Sequence, residues 1–161
     1  MKKICTMLMV CALLLGLAAC GATKLADTQE GFTIIYNGCE INLNSDAEPI
    51  IASLGQPKNY TEEASCAFDG LDKTYFYGSF YLSTYPQNGK DYVFSVWFVD
   101  DGIATEEGIR IGNPQTEVEK IWGTDCFRSS NTYTQVKKDS KMTIILTNGL
   151  VSSIQYEVIL K

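Results

Sequence analysis

Eight carboxylates in two groups are the residues of this chain best suited to acid–base chemistry. The first group follows the first predicted helix and the second joins the two halves of the chain: Glu62, Glu63, Asp69 and Asp72, then Asp100, Asp101, Glu106 and Glu107. Paired carboxylates can hydrolyse glycosidic bonds or bind calcium. Neither group has the D-x-[DN]-x-[DN]-G spacing of a calcium loop, and neighbouring acidic residues are common in solvated turns. A carboxylate-dependent hydrolase therefore stays an alternative function, and no metal site is predicted.

The absence of histidine narrows the remaining chemistry. With no histidine among its 161 residues, the chain lacks the usual general base, the Ser–His and Cys–His nucleophile pairs and most zinc or copper ligands. The S-x-x-K and G-x-S-x-G motifs and the phosphate-binding P-loop are also absent. A formal charge of −6 argues against binding a nucleic-acid backbone. The sequence thus predicts no enzyme, no cofactor and no nucleic-acid partner.

The first twenty residues predict export and a lipid anchor. Lys2 and Lys3 precede an apolar stretch that is short for a membrane span and typical of a signal peptide. It ends in Leu17-Ala18-Ala19-Cys20, which resembles the bacterial lipobox, whose cysteine receives a diacylglycerol. We therefore predict a signal peptide over residues 1–19, a lipid on Cys20 and a tether over residues 20–31. The alternative is an ordinary signal peptide followed by a chance cysteine.

Three further cysteines, Cys39, Cys66 and Cys126, follow the predicted lipid site. An exported protein can form disulfides, but an odd number leaves one thiol over, and no C-x-x-C motif is present. Cys66 and Cys126 occupy equivalent positions in two predicted repeats, which argues against pairing them. We predict a Cys39–Cys66 disulfide, although spacing alone does not fix the connectivity.

The body of the chain predicts two tandem α/β repeats, over residues 32–104 and 105–161. An offset of 68 carries Ile41 onto Ile109 and the helix-ending Gly55 onto Gly123. Each repeat is predicted as a strand, a short helix and a three-stranded antiparallel meander, over 74–77, 80–85 and 92–100, then 133–136, 141–147 and 150–159. The predicted fold class is α+β, with helices on one face of the sheet.

Two motifs resemble those of a known group of proteins. The segment that begins Gly108-Ile109-Arg110-Ile111-Gly112 is similar to the G-I-x-I-G-x-x-x-x-x-V…G motif of small bacterial lipoproteins with the fold of the β-lactamase inhibitory protein. The small outer-membrane assembly lipoproteins share this fold. The segment from Ser65 to Gly70 resembles one found in uncharacterised Gram-positive lipoproteins. The resemblance implies an architecture, protein binding and a Gram-positive cell surface rather than a periplasm.

Aromatic residues concentrate in the first meander and predict a binding surface. If Gly78-Ser79 is a two-residue turn, Tyr77 faces Phe80 across a hairpin. The free face of the sheet is then predicted to carry four large aromatic residues: Phe76, Tyr81, Tyr85 and Trp97. The core face of the third strand is predicted to carry Phe94, Val96 and Phe98. Exposed aromatic patches favour protein partners. The alternative is that this face packs on the second half or on the loop over residues 56–73.

The leading hypothesis is therefore a lipid-anchored, extracytoplasmic and non-catalytic protein-binding module. Its predicted partner is an unknown extracytoplasmic protein, and the resemblance implies an inhibitor of a hydrolase or cell-wall enzyme as one concrete version. A structural accessory subunit of an envelope assembly is the second hypothesis. The carboxylate-dependent hydrolase is the third.

Overall fold

The computed structural model describes residues 31–123 and 127–160 as ten strands and two helices. In chain order these are β1 Thr33–Tyr36, β2 Cys39–Asn42, α1 Ala47–Leu54, β3 Asn59–Ala64, β4 Leu71–Phe76, β5 Phe80–Gln87, β6 Lys90–Phe98, α2 Gln115–Trp122, β7 Phe127–Ser129, β8 Thr132–Lys137, β9 Ser140–Thr147 and β10 Leu150–Val158. Strands β1 and β2 form a small sheet, and the other eight form one large sheet. The predicted signal peptide, Cys20 and Cys126 lie outside the described residues.

The large sheet consists of two antiparallel meanders that meet along one seam. Its strand order is β3-β4-β5-β6-β10-β9-β8-β7, so β6 pairs with β10 at the centre and β3 and β7 form the edges. Within residues 31–123 and 127–160, no helix combines the length and apolarity that a membrane span requires.

The predicted α+β fold class, with helices on one face of the sheet, is wrong. The described residues form a β-rich fold with ten strands and two helices of only eight residues each. The two helices contribute four side chains to the buried core, Ala47, Ile50, Val118 and Trp122. Each meander also has four strands instead of the predicted three, because β3 and β7 lie in segments predicted to be loops.

Strand β3 shows why an edge strand escapes detection from sequence. All six of its side chains are exposed, and none of them belongs to the buried core. Its place in the sheet depends on the backbone ladder to β4, which runs from Asn59 opposite Phe76 to Ala64 opposite Leu71. Period-2 hydrophobic alternation marks strands with one buried face, and β3 has none.

The core lies against one face of the large sheet, which we call the core face. This face carries Phe80, Leu82, Val96, Phe98, Tyr133, Met142, Ile144, Ile154 and Tyr156, all less than 2% exposed. Ile34 and Ile41 of the small sheet belong to the same buried cluster. The opposite face, which carries Thr74, Tyr81, Ser83, Ser95 and Trp97, is called the open face below.

The predicted hairpin register between β4 and β5 is confirmed. Tyr75 lies opposite Leu82, and the Tyr77 amide donates to the Phe80 carbonyl at 3.0 Å. The turn requires a left-handed backbone at Gly78, whose φ is +100°. Glycine adopts this conformation without the steric penalty that a side chain brings.

A β-bulge in β6 overturns the predicted orientation of Phe94. Ser83 pairs with Ser95, but the next residue, Thr84, pairs with Val93, so Phe94 is an extra residue on β6. Val93 takes the buried position, with no exposed surface, while Phe94 is only partly buried. The predicted inward positions of Val96 and Phe98 are correct, since both are buried.

The predicted Cys39–Cys66 disulfide does not form in the structure, where both residues are free cysteines. Cys39 lies in β2, and its thiol is 4.0 Å from the carbonyl oxygen of Ile50 in α1. Cys66 is exposed in the loop between β3 and β4, at the edge of the large sheet. The prediction assumed that the two cysteines of the first half lie close together. Cys39 lies in the small sheet, however, and Cys66 lies at the edge of the large sheet.

Candidate functional site

Three aromatic side chains form a continuous row across the open face. Phe76, Tyr81 and Trp97 are cross-strand partners on β4, β5 and β6. The Phe76 and Tyr81 rings are stacked with centroids 4.6 Å apart, and the Tyr81 and Trp97 centroids are 6.0 Å apart. These three residues are called the aromatic row, and the structure brings them together as the sequence predicted.

Trp97 is the most exposed member of the aromatic row, with half of its surface accessible. Its indole Nε1 donates to Ser153 Oγ at 3.2 Å, which ties the side chain to β10 across the central seam. A tryptophan fixed by a neighbouring ring and a hydrogen bond has little rotamer freedom left to lose on binding. The row is therefore a preorganised surface.

Small hydroxyl residues form a floor beside the aromatic row. Thr74, Ser83 and Ser95 are cross-strand partners two residues along from the row, and the Thr74 and Ser83 hydroxyl oxygens are 3.2 Å apart. A cavity of about 650 Å³ extends over this floor from Tyr81 and Trp97. Aromatic rings line one side of this cavity, and hydroxyl groups line its base.

Tyr85, the fourth predicted binding residue, is not accessible on this surface. Only 5% of it is exposed, because Phe68 from the β3–β4 loop covers it with ring centroids 5.0 Å apart. The Tyr85 hydroxyl donates to Asn44 Oδ1 at 2.6 Å, and burial raises the pKa of that phenol. For Tyr85, the alternative that the open face packs on the loop over residues 56–73 is therefore the correct one.

Burial of Tyr85 creates a second feature of the open face, called the loop cleft. Its aromatic walls are Phe68, Tyr85 and Phe94, and two carboxylates, Glu63 and Asp72, also line it. The cleft has a volume of about 250 Å³. The Tyr85 and Phe94 rings meet edge to face at 6.2 Å. Sequence reasoning missed the cleft, since it placed Phe94 in the core and Tyr85 on the surface.

Local backbone chemistry positions the loop that carries Phe68. The Ser65 hydroxyl accepts hydrogen bonds from the amides of Ala67 and Phe68, at 3.4 and 3.3 Å. Gly70 closes the loop with φ at +133°, and a Cβ there would lie 2.9 Å from Pro86 Cβ. Only glycine allows this close approach to β5, so the serine and the glycine are the sequence signals that mark the loop.

The structure does not unite the two predicted acidic groups. Glu63 and Asp72 lie on the edge strand β3 and its neighbour β4, whereas Asp100 and Asp101 follow the end of the central strand β6. In the second group, Asp100 accepts from the Gly102 amide at 2.8 Å and Glu106 lies 3.8 Å from Lys137. Among the described residues, no three His, Cys, Asp or Glu side chains are grouped so that they could hold a metal ion.

Comparisons with known proteins give little further information. No protein-family model and no curated protein matches the chain. One solved structure, an extracellular protein containing an SCP domain from Bacillus anthracis str. Ames, is similar over 72% of this chain, with 11% identity and a TM-score of 0.42. The chain covers 44% of that protein, less than half its length.

Proposed function

We propose that this protein is a lipid-anchored, extracytoplasmic module that binds another protein through the aromatic row, without catalysis. The observation that carries the proposal is Trp97, half exposed and lying beside Tyr81, which in turn stacks on Phe76. Buried aromatic anchors dominate the energetics of protein interfaces, tryptophan and tyrosine above all. The predicted lipobox and Cys20 support the location, and inhibition of a hydrolase or cell-wall enzyme is the version that the resemblance implies.

The shape of the open face favours a protein over a small ligand. The row and the hydroxyl floor lie on neighbouring cross-strand positions of one sheet, and the cavity of about 650 Å³ above them is open to solvent rather than enclosed. Small-molecule sites are usually concave and bury most of the ligand, whereas protein interfaces place rigid aromatic residues on a broad surface with a polar rim. The floor of Thr74, Ser83 and Ser95 supplies such polar groups next to the aromatic residues.

The test compares two serine variants on the same face. Trp97→Ser removes the exposed ring of the row, and Val136→Ser removes an equally exposed apolar side chain, 58% accessible, on β8 in the other half. The purified, processed protein serves as bait in an extract of its own cell envelope. We expect a partner that is captured by the wild type and by Val136→Ser and lost with Trp97→Ser.

The Kd of the captured partner for each variant then tests the proposal quantitatively. Truncation of a hot-spot tryptophan typically costs about 2 kcal/mol or more, which corresponds to roughly a 30-fold weaker Kd. Calorimetry should show this weakening for Trp97→Ser and no change for Val136→Ser. Equal affinities for both variants, with wild-type circular dichroism, would contradict the proposal.

A further inference from the structure

We infer that the loop cleft is the site where the partner inserts a lysine side chain. This inference rests on the proposed function, since it names the residue chemistry by which a protein partner is recognised. Three observations carry it: an unfavourable pair of carboxylates, a buried carboxylate oxygen without a partner, and aromatic walls around a small cavity.

The first observation is that two like charges face each other across neighbouring strands. Glu63 on β3 lies directly opposite Asp72 on β4, so their side chains emerge on the same face of the sheet. Like charges at such positions destabilise a sheet. Lys73 also lines the cleft, but its ammonium pairs with Asp91 at 2.6 Å. Among the described residues, no lysine or arginine forms an ion pair with Glu63 or Asp72.

The second observation concerns the buried oxygen of Asp72. Its Oδ1 atom has essentially no exposed surface and no hydrogen-bond partner within the described part of the chain. An unpaired buried carboxylate oxygen loses its hydration without compensation. Asp72 lines the cleft, so a cation in the cleft lies next to the carboxylate that carries this unpaired oxygen and offsets its charge.

The third observation is the nature of the cleft walls. Phe68, Tyr85 and Phe94 surround a space of about 250 Å³, which is below the usual range for small-molecule pockets and suits one inserted side chain. Aromatic rings contact the methylene groups of a lysine stem and attract an ammonium group that passes over their faces. Two carboxylates then receive the charge, and the ammonium has three donors to offer them.

Charge complementarity selects a cationic side chain, and the narrow stem and compact ammonium of lysine suit a cleft of about 250 Å³ better than the broader guanidinium of arginine. An apolar side chain leaves both carboxylates unpaired, and an acidic side chain adds a third negative charge. Removal of the predicted signal peptide takes away Lys2 and Lys3, so 11 basic residues oppose 19 acidic ones and the net charge becomes −8. This overall charge attracts basic surfaces and repels acidic ones.

The test measures binding of a lysine analogue to the whole processed protein. The probe is N-acetyl-L-lysine methylamide, and N-acetyl-L-norleucine methylamide is its uncharged counterpart. Saturation-transfer difference NMR detects weak binding of a ligand that exchanges rapidly, and titration gives Kd. We expect saturable binding of the lysine probe at roughly millimolar concentration and much weaker binding of the norleucine probe.

Variants then locate the site. Asp72→Asn should weaken lysine binding roughly tenfold, and Glu63→Gln should also weaken it, because each removes one charged acceptor. Asp69→Asn is the matched control, since it removes an exposed carboxylate of the neighbouring β3–β4 loop that forms no ion pair among the described residues. Circular dichroism and thermal unfolding identify any variant that fails to fold. Glu63→Gln tests the same acceptor pair without changing Asp72.

Three results would overturn the inference: equal binding of the norleucine probe, no saturable binding of lysine, or equal effects of Asp72→Asn and Asp69→Asn. The outcome is separable from that of the proposed function. If the lysine probe fails while partner capture still depends on Trp97, only the inference is wrong. If the lysine probe binds through Asp72 while Trp97→Ser captures the partner normally, only the proposed function is wrong.

Discussion

Asp72→Asn should leave the folded protein as stable as the wild type or slightly more stable. Asp72 lies opposite Glu63 in the β3–β4 ladder, and the structure gives its buried Oδ1 no partner among the described residues. Replacing the carboxylate by an amide of the same shape removes the repulsion between the two side chains. A mutation at a partly buried polar residue usually destabilises a protein, so this expectation has an unusual sign.

The expected gain follows from the geometry of the pair. Directly opposite residues in an antiparallel sheet have Cβ atoms about 4.5–5.5 Å apart, and two unit charges 5 Å apart in water repel by about 0.8 kcal/mol. Glu63 is exposed, so the water-like value applies and the gain in free energy of unfolding should lie between about 0.2 and 1 kcal/mol. Salt screens exposed charges, with a Debye length of about 3 Å at 1 M.

Urea denaturation at low salt and in 1 M sodium chloride measures this gain. Because urea is uncharged, the denaturant does not change the ionic strength. The difference between Asp72→Asn and wild type should be present at low salt and shrink at high salt. Asp69→Asn corrects for the general loss of one negative charge. Destabilisation of Asp72→Asn by more than about 1 kcal/mol, or a gain that salt does not reduce, would refute the reasoning.

Three further predictions concern stability, and urea unfolding measures each of them. Gly70→Ala should lower the free energy of unfolding by about 1–3 kcal/mol, because φ is +133° and the new Cβ would lie 2.9 Å from a proline on β5. Tyr85→Phe should cost about 1 kcal/mol through loss of the 2.6 Å hydrogen bond to Asn44, with no change in the m-value. Hydrogen bonds, chiefly from Gln115, lower the pKa of Glu119 in the folded state. The contribution of Glu119 to the free energy of unfolding is therefore present above its unfolded pKa and is lost as pH falls through its folded pKa. Glu119→Gln should therefore reduce the loss of stability between neutral and acid pH, and an unchanged loss would contradict this assignment.

Local sequence signals were sufficient for the aromatic row. The two-residue turn at Gly78-Ser79 fixes which residues of β4 and β5 face each other, and alternation then places Phe76 and Tyr81 side by side. Trp97 follows from the buried pattern of Val96 and Phe98 on either side of it. Each step depends on residues close in the chain or directly paired, which is why the sequence could predict it.

The loop cleft could not be predicted in the same way, because it depends on tertiary contacts. The bulge turns Phe94 out of the core, but the sequence of β6 does not reveal it. Large and small side chains follow one another both before and after Phe94, so the alternation gives no sign of an extra residue. Tyr85 does lie on the strand face that alternation predicts. Its burial depends on Phe68, seventeen residues earlier, whose loop folds over it. The edge strand that carries Glu63 is fully exposed and has no hydrophobic pattern.

On the proposed function, the aromatic row would supply contact area for a partner and the loop cleft would supply charge recognition. Tyr81 and Tyr85 are four residues apart on β5, so the two features are separated by about 13 Å at 3.3 Å per residue. Contributions from sites this far apart are usually additive, and a partner that reaches both must cross the hydroxyl floor between them. The row supplies apolar contact area that many partners could use. The proposed lysine site would discriminate among them, because a partner without a basic residue at that distance would leave two carboxylates unpaired, and an acidic one would be repelled. On that proposal, the repulsion between Glu63 and Asp72 in the free protein is the interaction that would make the open face selective.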